Sequence, residues 1–209
     1  MSSELSCCPH EQSVLARLRR LYECRSQDVI LAKMNVPSLV LSEFARTHSS
    51  GFCECPDIED RLAFWAARAR ERVDIYDDSI PSAYLSEMDQ GLCGGMFGGD
   101  VRFLCDASRG WFSSMVPPLL ADWSEFDALS FDRECAWYRR YAAQLRAFVD
   151  SAEGKYGISH LILINHLNFA FECVGATQTY MALYEQPDRV RQATSLAHEV
   201  NLCVQRHFF

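Results

Sequence analysis

Short apolar runs that alternate with amphipathic helices constrain the fold of this chain more than any other feature. Three such runs lie at residues 28–34, 73–76 and 160–164. Nearly continuous apolar strands set between helices are typical of a parallel sheet that helices cover on both faces. The pattern therefore predicts an α/β protein.

Helical spacing fills the intervals between these runs. In each interval, apolar side chains recur every three to four residues along one face, and charged residues occupy the other. We predict helices over residues 10–24, 56–73, 132–152, 177–184 and 188–209. With the three strands, these helices give an alternating order that suits β-α-β units.

Three further segments do not belong to the alternating strands and helices. Residues 101–106 and 111–116 have strand-like sequences around a turn at 107–110, which predicts an inserted β-hairpin. Residues 38–48 fit a helix or an extended segment equally well. The glycine-rich stretch 91–99 predicts a close-packed loop, because its spacing is not that of a dinucleotide-binding motif.

Size and charge limit the classes of function. The chain has 209 residues and a net charge of −8, and we expect one domain over 1–209 with a helical extension at 1–27. An acidic chain without a basic run is expected to bind neither nucleic acid nor a membrane surface. The N-terminus has no signal-peptide pattern, so we expect a cytoplasmic protein. Its ten cysteines lack zinc-site spacing and are expected to be reduced thiols.

Polar side chains follow each predicted strand. In a parallel barrel the carboxyl ends of the strands share one face, and binding sites are built there. The candidate site residues are Asn35, Asp77, Asp78, Asn165, His166 and Asn168. Their common position predicts one site at this face.

The roles within this set stay open on the residues alone. Successive side chains of a strand alternate, so only one of Asp77 and Asp78 can face the mouth while the other supports the turn. His166 suits a general acid, a metal ligand or a structural hydrogen bond. Asn165 and Asn168 suit either ligand binding or support of the loop backbone.

Several segments together resemble the uroporphyrinogen decarboxylase superfamily. They are Asp77-Asp78-Ser79-Ile80-Pro81 with the glycine-rich loop after it, the hairpin at Trp111, and the block from Gly175-Ala176-Thr177 to Leu183-Tyr184-Glu185-Gln186-Pro187-Asp188-Arg189-Val190. The resemblance covers about residues 56–209 and depends on the set as a whole.

The resemblance implies a (β/α)8 TIM barrel, of which this chain is expected to form the N-terminal part with an inserted hairpin. It implies a carboxy-lyase that acts without a cofactor on a tetrapyrrole or related ligand. Asp78 then matches the aspartate that contacts pyrrole N–H groups, and His166 is the expected proton donor. Asp77, Asn35, Asn165 and Asn168 are the expected substrate-binding residues. The arginine-rich segment of the decarboxylases has no counterpart here, since Ala32-Lys33-Met34-Asn35-Val36-Pro37 stands in its place.

Two alternatives accompany this hypothesis. The superfamily also contains corrinoid-dependent methyltransferases, whose zinc site would lie beyond residue 209. The chain could instead be a non-catalytic barrel fragment, because its last predicted helix reaches residue 209 without a cap. An open barrel edge favours self-association in that case.

Overall fold

The computed structural model describes residues 5–27, 29–85, 88–159 and 166–208. Within these ranges the chain combines α-helices with short strands, which agrees with the α/β class expected from the sequence. The helices are α1 (Glu11–Tyr22), α2 (Leu39–Arg46), α3 (Ile58–Arg70), α4 (Leu92–Gly95), α5 (Ala136–Ala152), α6 (His166–Val174), α7 (Ala176–Glu185) and α8 (Pro187–Phe208). The strands are β1 (Gly51–Cys53), β2 (Ser82–Tyr84), β3 (Arg102–Asp106), β4 (Trp111–Met115) and β5 (Gly157–Ser159), and a 3-10 helix spans Trp123–Ala128.

The five helices predicted from apolar spacing are confirmed as α1, α3, α5, α7 and α8. Their ends follow local chemistry, as α3 illustrates. It carries acidic residues in its first turn and Arg68 and Arg70 in its last, which matches the helix dipole. The open choice at 38–48 is decided by Ser38, whose hydroxyl accepts a hydrogen bond from the Leu41 N–H (3.0 Å) and caps α2.

The predicted hairpin is confirmed as β3 and β4, which pair antiparallel with Leu104 opposite Ser113. Gly110 takes a φ of 61° in the turn, a conformation that favours glycine. The strand β1 adds to the free side of β3 and makes a three-stranded antiparallel sheet.

A second sheet consists of one parallel pair of strands, which lie at other positions than the predicted strands. The strands β2 and β5 run parallel with Ala83 opposite Ile158, and the hairpin and α5 lie between them in the chain. Ala83 is buried, whereas Ser82 and Tyr84 on the opposite face of β2 are exposed. The pair and α5 form a β-α-β unit, and neither sheet closes into a barrel within the described residues.

The positions of the predicted strands need correction. Residues 29–34 have no regular structure. Residues 73–76 were also wrongly predicted as a strand, because N–H groups after α3 bond three residues back, as from Ile75 to the Arg72 carbonyl. The strand β2 begins after Pro81 instead of ending before it. The predicted strand 160–164 lies outside the described residues, and β5 directly precedes it.

Two apolar clusters form the core. The first joins α3, α5 and the antiparallel sheet to α8, which contributes Val200 and Val204. The second packs α6 against α8 and the 3-10 helix around Phe169. Several of the ten free thiols are buried as small apolar residues, as Cys105 and Cys173 show. None of the helices in the described ranges has the length and apolar character to cross a bilayer.

Candidate functional site

The carboxylate of Asp77 is surrounded by protein donors. Its side chain is only 3% exposed and forms an ion pair with Arg72. The Ser79 hydroxyl and N–H donate to Oδ1 at 2.6 Å and 3.0 Å, and the Met34 N–H donates to Oδ2 at 2.8 Å. Burial alone would raise the pKa of Asp77, but the hydrogen bonds from Ser79 and Met34 and the charge of Arg72 hold it below its ordinary value.

The carboxylate of Asp78 is bound by a different set of groups. The Ala32 N–H donates to Oδ2 at 3.0 Å, and Arg17 Nε of α1 donates to Oδ1 at 2.5 Å. The Asp78 N–H in turn donates to the Ala32 carbonyl at 2.9 Å. The hydrogen bond from Ala32, followed by that from Arg17, lowers the pKa of Asp78.

Both aspartates therefore lie at the amino end of a strand. The prediction placed them after the second strand, whereas they precede β2. In barrels of parallel strands the carboxyl ends carry the site and the amino ends contribute stability. Their contacts tie residues 32 and 34 to α1 and to the end of α3.

The other predicted site residues are dispersed. His166 and Asn168 are exposed at the start of α6, and the His166 ring lies 5.8 Å from the His198 ring of α8. Asn165 lies outside the described residues. Of the five candidates among the described residues, Asn35 is the one that lines a large cleft.

This cleft, which we call the β2 cleft, has a volume of about 500 Å³. Its walls are residues 33–36, the last turns of α3, and the segment from Ser79 to β2, with Ser159 of β5. Trp65 and Ala69 of α3 line its apolar part. A volume of this size lies within the range of small-molecule sites.

Cations outnumber acids on the walls of the β2 cleft. Lys33, Arg68 and Arg72 line it, with Glu71 as the acid among the described lining residues. Glu71 is engaged at the start of α2, where it accepts hydrogen bonds from the Ser38 hydroxyl (2.6 Å) and the Val40 N–H (2.9 Å). Arg68 lies 3.7 Å from Glu71, and Arg72 is paired with Asp77, so Lys33 is the cation of the cleft that has no acidic partner among the described residues.

Four side-chain polar groups of the residues that line the β2 cleft have no hydrogen-bond partner among the described residues. They are the Lys33 ammonium, the Asn35 amide, the Tyr84 hydroxyl and the buried Nε1 of Trp65. The serine hydroxyls nearby are already used, since Ser159 Oγ donates to the Ala83 carbonyl at 3.0 Å. An ammonium, an amide and a phenol can all donate to a carboxylate or another oxygen anion.

The carboxylate that does follow β2 is Asp89, which the sequence did not single out. It is buried against Arg61 of α3 at 2.5 Å and accepts from Gln144 Nε2 of α5 at 2.9 Å. Asp89 Oδ1 and Arg61 Nε have no hydrogen-bond partner among the described residues. The pair links both helices to the segment after β2.

A second buried carboxyl group, Glu172 of α6, also escaped the sequence analysis. Its Oε2 is buried next to Gly94 of α4 and has no hydrogen-bond partner in the part of the chain that the structure describes. Burial raises its pKa to about 7, and the Gly94 N–H offsets only part of that rise. A single acidic residue on a helix does not reveal from the sequence whether its carboxyl group is buried.

The described residues contain no cluster of three His, Cys, Asp or Glu side chains placed to hold a metal ion. No protein-family model, curated protein or solved structure matches the chain. The candidate site is therefore argued from the structure itself, and the β2 cleft is the candidate that its volume and lining residues support.

Proposed function

We propose that the β2 cleft binds a small molecule that carries carboxylate groups. The observation that carries this proposal is the set of donors Lys33, Asn35 and Tyr84, which line the cleft and have no partner among the described residues. Such donors are available to a ligand, and a hydrogen bond between charged groups is about twice as strong as one between neutral groups.

The resemblance described above supplies the substrate class. We propose a tetrapyrrole-type polycarboxylate as the ligand and a carboxy-lyase reaction, in which a carboxylate arm leaves as CO₂ and a proton takes its place. The uroporphyrinogen decarboxylase-like barrel, with this chain as its N-terminal part, remains the proposed fold. The parallel pair β2–β5 with α3 and α5 beside it supports that proposal.

The segment 32–37 has no arginine, and the two arginines that line the β2 cleft are already engaged. Arg72 donates to the Met34 carbonyl at 3.1 Å and pairs with Asp77, and Arg68 lies 3.7 Å from Glu71. Within the proposal Lys33 therefore supplies the positive charge that meets a carboxylate of the ligand, since unpaired buried charge is costly.

Fluorescence titration with two porphyrins tests the binding step. Coproporphyrin, which carries carboxylates, should bind, whereas etioporphyrin, which carries none, should not. Lys33→Gln and Tyr84→Phe should each weaken coproporphyrin binding, by about tenfold for the lost charge and less for the lost hydroxyl. Equal binding of the two porphyrins would contradict the proposal.

Matched controls change the same chemistry elsewhere. Arg109→Gln removes one charge from the exposed hairpin turn, and Tyr180→Phe removes one hydroxyl from the exposed face of α7. Both should bind coproporphyrin as the wild type does. Chromatography of porphyrins after incubation with uroporphyrinogen then tests for products that have lost carboxyl groups, and binding without such products would favour the non-catalytic alternative.

A further inference from the structure

Residues 29–36, which we call the strap, form one wall of the β2 cleft through residues 33–36. The strap has no regular structure up to Val36. Its apolar side chains are poorly packed, and Ile30 is 92% exposed. Packing therefore does little to fix the strap in place.

The strap is instead attached by its backbone at alternate residues. The Ala32 N–H donates to the Asp78 carboxylate at 3.0 Å, and the Ala32 carbonyl accepts from the Asp78 N–H at 2.9 Å. Met34 donates to Asp77 at 2.8 Å and accepts from Arg72 Nη1 at 3.1 Å. In an extended chain, alternate residues direct their main-chain groups to the same side. Side chains thus take the place of a neighbouring strand.

Each aspartate that binds the strap also forms an ion pair with an arginine in or next to a helix. Asp78 is paired with Arg17 of α1, and Asp77 with Arg72 just beyond α3. Lys33 lies between the two attachment points and lines the β2 cleft. The attachments at residues 32 and 34 therefore set where the Lys33 ammonium stands.

We propose that Asp77 and Asp78 are positioning residues that hold the strap against the β2 cleft, so that Lys33 and Asn35 meet the ligand. This inference rests on the proposed carboxylate binding in the cleft. It assigns the two aspartates a role through the strap, not in the chemistry that the sequence had suggested for them. Release of the attachments opens that wall of the cleft.

Lysine-specific proteolysis reports on the strap directly. The chain has two lysines, Lys33 in the strap and Lys155 after α5, so Lys155 is an internal reference. Asp78→Asn should raise the rate of cleavage after Lys33 by about tenfold relative to Lys155, because cleavage follows local opening. Asp74→Asn is the matched control, since Asp74 is exposed and has no partner among the described residues. Unchanged cleavage after Lys33 in both Asp78→Asn and Asp77→Asn would overturn the proposal.

Binding in a double-variant cycle separates positioning from general stability. Asp78→Asn should weaken coproporphyrin binding in the wild type by about the same factor as Lys33→Gln. In the Lys33→Gln background it should cause a smaller loss than in the wild type, because only the part that acts through Asn35 remains. Fully additive losses would contradict the inference.

The two proposals fail in different ways. If the cleft binds no carboxylate, coproporphyrin will neither bind nor protect Lys33 from cleavage, while Asp78→Asn will still expose Lys33 to the protease. If the strap does not depend on the aspartates, coproporphyrin will bind and protect Lys33, and Asp78→Asn will behave as Asp74→Asn does.

Discussion

The ionisation of Glu172 should make the stability of this protein fall as the pH rises. Its carboxyl group is buried at the contact of α6 with Gly94 of α4, and its pKa is about 7 in the folded chain against an ordinary 4.5. The folded state therefore keeps a proton that the unfolded chain releases above about pH 4.5. Between about pH 4.5 and 7 the free energy of unfolding should decrease, and above that range it should level off.

The magnitude follows from the size of the shift. A rise from 4.5 to about 7 corresponds to a penalty of up to about 3 kcal/mol on the ionised form. In a chain of this length that penalty lowers Tm by roughly 6 to 12 °C. Glu172→Gln carries no charge at any pH, so this variant should lack that part of the pH dependence.

Urea denaturation of the wild type and Glu172→Gln at pH 5.5 and pH 8.0 measures the effect. The stability of the variant relative to the wild type should increase by about 2 kcal/mol between the two pH values. Glu185→Gln, an equal change of charge at the exposed end of α7, should show no such increase. A relative stability of Glu172→Gln that is constant across this pH range would refute the reasoning.

Three further predictions concern other contacts. Arg61→Met leaves the buried carboxylate of Asp89 without its ion pair and should cost about 3 to 5 kcal/mol in chemical denaturation, whereas loss of less than about 1 kcal/mol would contradict a buried pair. Gly91→Ala would place a methyl group 2.8 Å from the backbone of β4 and should lower Tm measurably, with a cost of about 1 to 3 kcal/mol. Tyr138→Phe removes the hydrogen bond to His207 Nδ1 (2.8 Å) and should destabilise the chain by about 1 kcal/mol in the same assay.

Helices were the part of the fold that the sequence predicted best. The apolar stripes of α3, α5 and α8 repeat locally and are visible without knowledge of their partners. The helix α6 was missed, because its first residues directly follow the predicted strand 160–164 and were interpreted as the loop after that strand. The hairpin β3–β4 was recovered from its turn, yet its pairing with β1 required a partner about 50 residues earlier in the chain.

Candidate site residues were harder to predict because their neighbours are distant in the chain. Asn35 does line the β2 cleft, but its companions Lys33 and Tyr84 were not selected. The apolar run of the strap looked like a buried strand, and only the contact between Ala32 and Asp78, 46 residues apart, shows that side chains bind its backbone. Such a contact leaves no periodic signal in the sequence.

The sequence by itself determined the α/β class, the positions of the longest helices and the presence of two adjacent aspartates before a proline. Those properties depend on residues within one or two turns of each other. Only the tertiary structure decided that the aspartates precede β2. It also decided which groups bind their carboxylates, namely Arg17, Ala32, Met34 and Arg72. A carboxylate accepts hydrogen bonds from the donors that the fold brings close to it, wherever they lie in the sequence. Here those donors come from the strap, α1 and the end of α3.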